Sequence, residues 1–308
     1  MHYVLNAPRQ LHFGTSRNEV AQFTAGIRKL FGALLRVYLD FTDVQLAAPA
    51  AALYVAAEID RWRQHRNVWT KPRVYDFAAW APSIRRYFRD VGLFELLEVA
   101  NLPDDPPSAS PTKVLRMRRN DSVDPASVVQ LRDELHTLCG SVPNSLNFFD
   151  ALCEAMNNVI HHAYKDPDPD DWPRLHNRWW MTADFDPKNG QLRIAFLDQG
   201  VGIPARLPRS GLWEHLEGYM TQFFPGRNDD ASRIQAALQY GRSSTGHQGR
   251  GQGFHDMQMF VDGSPHNWMR VLSGFGEVLY RDRQWVSTQH AEPVVGTIVE
   301  WSLLVPEG

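Results

Sequence analysis

Residues 101–112, NLPDDPPSASPT, divide the chain, because neither a helical nor a strand-like hydrophobic period survives them. Four prolines set among aspartates and serines make an extended, semi-rigid connection. With 308 residues there is length on both sides for a unit with its own core: residues 1–100 before the break and 113–308 after it.

Before the break, strand-like and helical patterns alternate. A strand around Tyr3–Leu5 precedes a helix through Glu19–Phe31, and LLRVYLDF then reads as a buried strand. An alanine-rich helix, Ala50–Arg66, carries Leu53, Val55, Ile59 and Trp62. A strand at Arg73–Phe77 leads to a last helix opened by Pro82. This alternation predicts a small α/β unit with its sheet covered by helices.

After the break, KVLRMRR predicts a strand, and DPASVVQLRDELHTLC a helix with Asp124 as N-cap and Pro125 in its first turn. RWWMTADFD and GQLRIAFLD flank a turn at Asp186–Gly190, so they are expected to pair antiparallel. The second run ends directly in Asp198-Gln-Gly-Val-Gly. Residues 204–244 are mixed, with a helix over Ala231–Tyr240. GRSSTGHQGRGQGF follows, then a helix through Asp256–Phe260 and the strands MRVLSGF, EVLYRD and GTIVEWSLLVP.

Between these segments, Phe148–Tyr164 reads as one helix with Phe149, Leu152, Met156, Val159, Ile160 and Ala163 on its buried stripe. Its polar residues need a separate account. Glu154, Asn158 and His162 recur at every fourth position, so on a regular helix a carboxylate, an amide and an imidazole share one face.

Taken in order, Glu154-x-x-x-Asn158-x-x-x-His162, Asp198-x-Gly200-x-Gly202, Gly249-x-Gly251-x-Gly253 and Gly296-Thr297 resemble the GHKL ATPase superfamily. That superfamily includes the ATP-binding domains of sensor histidine kinases, gyrase, Hsp90 and MutL, and the serine kinases that act as anti-sigma factors. The resemblance covers residues 113–308. It implies a Bergerat fold, an α+β sandwich with helices on one face of a mixed sheet, and it implies ATP and Mg²⁺ as cofactors. Residue by residue, it makes Asn158 the Mg²⁺ ligand, an oxygen donor of the kind that ion prefers. Glu154 becomes the group that orients or deprotonates the attacking water or hydroxyl. Asp198 reads the adenine amine, with Gly200 and Gly202 allowing close passage of the chain and Thr297 as a second contact near the base. Gly249, Gly251 and Gly253 form the triphosphate cradle, whose N–H groups suit an anion. Ser243, Ser244 and Thr245 fall on a mobile lid, and His162 either touches phosphate or caps the helix. Arg250 and Gln252 depart from the residues expected between those glycines; Arg250 either makes a charge-assisted phosphate contact or faces solvent, and the contact is the reading taken.

The first unit is similar to a STAS domain along LDFTDVQLAAPAAALYVAAEIDRW. The family's phosphorylatable serine falls on Pro49, which has no hydroxyl, so the resemblance implies a regulatory or docking module and not a phosphorylation switch. Together the two resemblances imply a regulatory Mg-dependent ATPase or ATP switch whose lid closure changes how the first unit meets a protein partner. The alternatives are a serine/threonine kinase of the anti-sigma type acting on a STAS partner, and a module that binds ATP without turnover. Family members often dimerise, so a homodimer is among the expectations.

Bulk composition sets limits on partners. A formal net charge of -3 gives no broad electrostatic footprint for nucleic acid. Cys139 and Cys153 are too few for a disulfide framework, which together with the absence of a 20-residue apolar run or a leader-like N-terminus predicts a cytoplasmic protein with no membrane partner.

Overall fold

A computed structural model describes residues 2–33, 35–65, 73–99, 112–142, 145–165, 177–211, 213–243, 258, 261–262 and 264–305. The protein is of mixed α/β class. In the first unit, β1 (His2–Asn6), β3 (Arg36–Asp40) and β5 (Arg73–Val74) form a parallel sheet in the order β1-β3-β5. A two-residue parallel ladder joins β2 (Gln10–Leu11) to β4 (Leu46–Ala47). The crossovers are α1 (Phe13–Gly32) and α2 (Pro49–His65), with α3 (Pro82–Val91) and α4 (Leu93–Leu97) closing the unit. The strand expected over Arg73–Phe77 stops at Val74. Asp76 takes a left-handed conformation (φ 39°) and starts a 3₁₀ turn over Phe77–Ala79, which ends the ladder.

The second unit is built on a five-stranded sheet of β6 (Lys113–Asn120), β7 (Trp179–Asp186), β8 (Gln191–Asp198), β9 (Trp268–Arg281) and β10 (Gln284–Leu304), in the order β6-β7-β8-β10-β9. Every pairing in it is antiparallel, so the expected mixed sheet is corrected to an antiparallel one. The β7–β8 hairpin turns at Gly190 as its sequence predicts. MRVLSGF and EVLYRD are one strand instead of two, paired with β10 through a two-residue turn at Asp282 and Arg283, both with positive φ as tight hairpins require.

Helices α5 (Pro125–Cys139), α6 (Ser145–Asn158), α7 (Ile203–Arg206), α8 (Trp213–Phe223) and α9 (Asp230–Ser243) complete the described elements. Asp124 caps α5 by accepting from the N–H groups of Ala126 and Ser127 at 3.1 and 3.0 Å, the arrangement that its Asp-Pro start predicts. Helix α8 falls where the sequence pattern was mixed. The connection over 101–111 lies outside the described residues.

Alternation along the strands sends side chains to opposite sheet faces, and both faces are dry. Leu192, Ile194 and Phe196 enter one core with Leu152 and Met156 of α6 and with Val159 just beyond it. Ala195 and Leu197 enter the other, with Trp180, Leu272 and Ile298, against α1 and α2. The second unit's own helices α5, α6 and α9 pack on one face of this sheet, as expected, and the first unit covers the other. Helix α2 is the consequence. Every residue from Pro49 to Trp62 is buried, since one side meets α1 and α4 and the other the large sheet.

Candidate functional site

Four side chains cross the end of the large sheet in one row. Strand register sets Trp179 opposite Asp198, Asp198 opposite Thr297, and Thr297 opposite Ser273, on four adjacent strands. Leu197 and Ile298 point to the first unit, so alternation turns Asp198 and Thr297 together toward the α6 face. Asp198 is only 6% exposed, and its Oδ1 accepts from the N–H of Gly200 at 2.8 Å. The Ser273 hydroxyl donates to Gly296 O at 2.7 Å, accepts from the Ile203 N–H at 3.0 Å and lies 3.4 Å from the Thr297 hydroxyl. One buried serine thus ties the backbone after Asp198 to the backbone before Thr297.

The glycines around this row are explained by packing of protein on protein. A Cβ on Gly200 would sit 2.5 Å from the carbonyl carbon of Ala163, where Val201 N–H donates to Ala163 O at 2.7 Å. A Cβ on Gly296 (φ 75°) would sit 2.6 Å from Gln199 Cα. Gly202 packs its Cα side against Ser273 Oγ, 2.7 Å from an added Cβ. The close approach that Gly200 and Gly202 permit is therefore to Ala163, five residues beyond α6, and to β9.

Where Phe148–Tyr164 was expected to be a single regular helix, α6 ends at Asn158 and a π turn follows over Val159–Ala163. Hydrogen bonding to the fifth residue widens the turn and rotates later side chains off the four-residue stripe. Glu154 and Asn158 keep their shared face, both half-buried, but His162 stands beyond the break and is exposed. The buried side of the segment is Phe148, Ala151, Leu152, Ala155, Met156 and Val159, with Phe149, Ile160 and Ala163 only partly covered. Tyr164 ends the segment: its hydroxyl donates to Arg178 O at 2.6 Å and accepts from Gln199 N–H at 3.2 Å. The π turn is thereby fastened to the start of β7 and to the loop after Asp198.

Sequence reasoning named Asp198, Gly200, Gly202 and Thr297, and the fold brings all four together. Glu154 and Asn158 lie on the helix whose C-terminal extension touches them. Ser244, Thr245, Gly249, Arg250, Gly251 and Gly253 lie outside the described residues, as does most of the expected helix over Asp256–Phe260. Trp179, Ser273, Tyr164 and Gln199 were missed. Ser273 had a signal, a lone hydroxyl in an apolar run before a glycine, but only the β9–β10 register shows what it faces.

An open groove of about 730 Å³ lies elsewhere, between the edge strand β6 and α5, lined by Lys113, Arg116, Arg118, Val129, Asp133 and Glu134 among others. None of the expected site residues lines it, and Arg118 is already paired with Glu134. Among the described residues no helix is long and apolar enough to cross a membrane. Comparison of the chain with protein-family models and with curated proteins gives no match.

Proposed function

We propose that the protein binds an adenine nucleotide at the Asp198–Thr297 end of its large sheet and acts as an ATP-dependent regulator, with a GHKL-like second unit and a STAS-like first one. The observation that carries this reading is the row itself. A buried carboxylate and a hydroxyl stand side by side on neighbouring strands, and the loops behind them are tied by Ser273. A buried carboxylate is an acceptor suited to the exocyclic amine of adenine, beside the Gly200 N–H from which it already accepts.

The donor set also fits a magnesium nucleotide. Among the described residues no three His, Cys, Asp or Glu side chains could jointly hold a metal. Mg²⁺ needs only one or two protein oxygens beside water and phosphate, and half-buried Asn158 would supply one. That ion would neutralise charge on the phosphates. Glu154, one turn earlier, would accept the proton of the attacking water or hydroxyl. The first unit would respond to the nucleotide and meet a protein partner. Because α2 is covered by the large sheet, such a partner would use other surfaces of the unit.

Incubation of the full chain with γ-labelled ATP and Mg²⁺, with and without a candidate STAS partner, tests the activity. Free phosphate is the expected product. Labelled partner would favour a serine kinase, and binding without turnover a nucleotide-sensing module. In the same assay Glu154→Ala is expected to abolish turnover while keeping binding, and Asn158→Ala to weaken binding only when Mg²⁺ is present. Absence of any adenine nucleotide binding by the wild-type chain would refute the proposal.

A further inference from the structure

Helix α2 reaches the back of this row with two side chains one helical turn apart. The Tyr54 hydroxyl accepts from the Val295 N–H at 2.9 Å, immediately before Gly296-Thr297. The Glu58 carboxylate accepts from Gln199 Nε2 at 3.2 Å, immediately after Asp198. Residues at i and i+4 share a helix face, so one face of α2 holds both strand ends that present Asp198 and Thr297. From α1, Arg17 adds a third hold, donating to Glu292 O and, at 3.0 Å, to Gly274 O.

Glu58 is anchored firmly in turn. Its carboxylate takes four donors: Arg28 at 2.9 Å, Trp62 Nε1 at 3.1 Å, Arg61, and Gln199. This fills the lone-pair sites of a carboxylate. Burial alone would raise its pKa, but Arg61 and Arg28 hold it below the ordinary value, so the group stays charged. Gln199 is different. It is fully buried, and its Oε1 has no hydrogen-bond partner among the described residues. An unpaired buried acceptor is costly, and packing alone would be served better by an apolar side chain of that shape. The same peptide that turns Gln199 toward α2 turns Asp198 toward the α6 face, so a shift of one is a shift of the other.

We propose that Tyr54, Glu58 and Gln199 are positioning residues for the adenine end of the site, through which the first unit sets nucleotide affinity. This inference rests on the nucleotide reading above. Coupling of this kind is reciprocal: a nucleotide that prefers one placement of Asp198 and Thr297 must also stabilise the seating of α2 on the sheet.

The experiment uses the full chain and calorimetric titration with ATP, adenosine and inorganic tripolyphosphate. Gln199→Met keeps the volume and removes the amide, and Tyr54→Phe removes only the hydroxyl. Each variant is expected to weaken ATP and adenosine binding by about tenfold, equivalent to about 1.4 kcal/mol, and to leave tripolyphosphate binding unchanged. A general loss of stability would not separate base from phosphates in this way. Alongside, amide hydrogen exchange of the wild-type protein with and without saturating ATP is expected to show slower exchange over residues 49–65. Wild-type affinity for ATP in both folded variants, or exchange over 49–65 that ATP does not alter, would overturn the coupling while leaving nucleotide binding intact. A wild-type chain that binds no adenine compound would overturn both.

Discussion

Adding one methyl group at Gly200 tests whether the loop after Asp198 is held by Ala163, at the end of the π turn. The new Cβ would stand 2.5 Å from the carbonyl carbon of Ala163 and 2.6 Å from its Cβ, against an ordinary carbon–carbon contact of about 3.5 Å. Relief requires the loop to withdraw by about 1 Å. That would stretch the 2.7 Å bond from Val201 N–H to Ala163 O beyond hydrogen-bonding range, and would strain the 3.2 Å bond from Gln199 N–H to Tyr164. Overpacking costs about 1–3 kcal/mol, and a lost backbone hydrogen bond about 1 kcal/mol more. Gly200→Ala should therefore destabilise the fold by about 3 kcal/mol, which for a chain of this size lowers Tm by about 6 °C. Gly200 has no positive φ, so the effect isolates the contact from backbone strain. Gly218→Ala is the control: it lies within α8 with nothing within 4 Å of an added Cβ, and should stabilise by about 0.5–1 kcal/mol. The assay is thermal and urea unfolding of both variants. A Gly200→Ala protein that melts with the wild type would show that the loop does not rest on Ala163 as described.

Two further perturbations read the contact between the units. His12 caps α1 by accepting from the Gly14 N–H at 3.1 Å, and its pKa is lowered to about 4 by burial, then by Arg270 and Arg193. The unfolded chain takes up this proton near pH 6.5 and the folded one only near 4, so stability should fall as pH drops through that window. The ring is partly exposed, and screening reduces the loss to about 1 kcal/mol; urea titrations at pH 4.5 and 7.5 should show a smaller difference in His12→Asn, which retains an acceptor. Asp60, on α2, accepts from Trp180 Nε1 at 3.0 Å and pairs with Arg119. Asp60→Ala leaves the buried indole N–H unpaired and should cost about 2 kcal/mol in urea unfolding followed by tryptophan fluorescence; an unchanged midpoint would remove this link from the interface.

Legibility in the sequence followed the range of the interactions involved. The Asp124 cap, the Gly190 hairpin and the extents of β6 and α2 depend on neighbours a few residues away, and their patterns predict them well. Helix α6 marks where that range ends. Its stripe of Glu154 and Asn158 holds, but the π turn after Asn158 answers to distant partners: Arg178, just before β7, reached through Tyr164, and Val201 in the loop after β8. A four-residue period carries no trace of them, and His162 was misplaced for that reason.

Sequence patterns limited which segments could be strands or helices, and they grouped Asp198, its glycines and Gly296-Thr297 as one expected site. Only the tertiary structure decided that Asp198 and Thr297 are cross-strand partners on one face, with Ser273 tying their loops. It alone decided that the first unit covers the other face. The physical reason lies in runs such as WWMTADF and in the alanine-rich α2. A largely apolar segment with no exposed face must be buried all round, yet does not state against what; that choice is made when two such surfaces, far apart in the chain, bury each other.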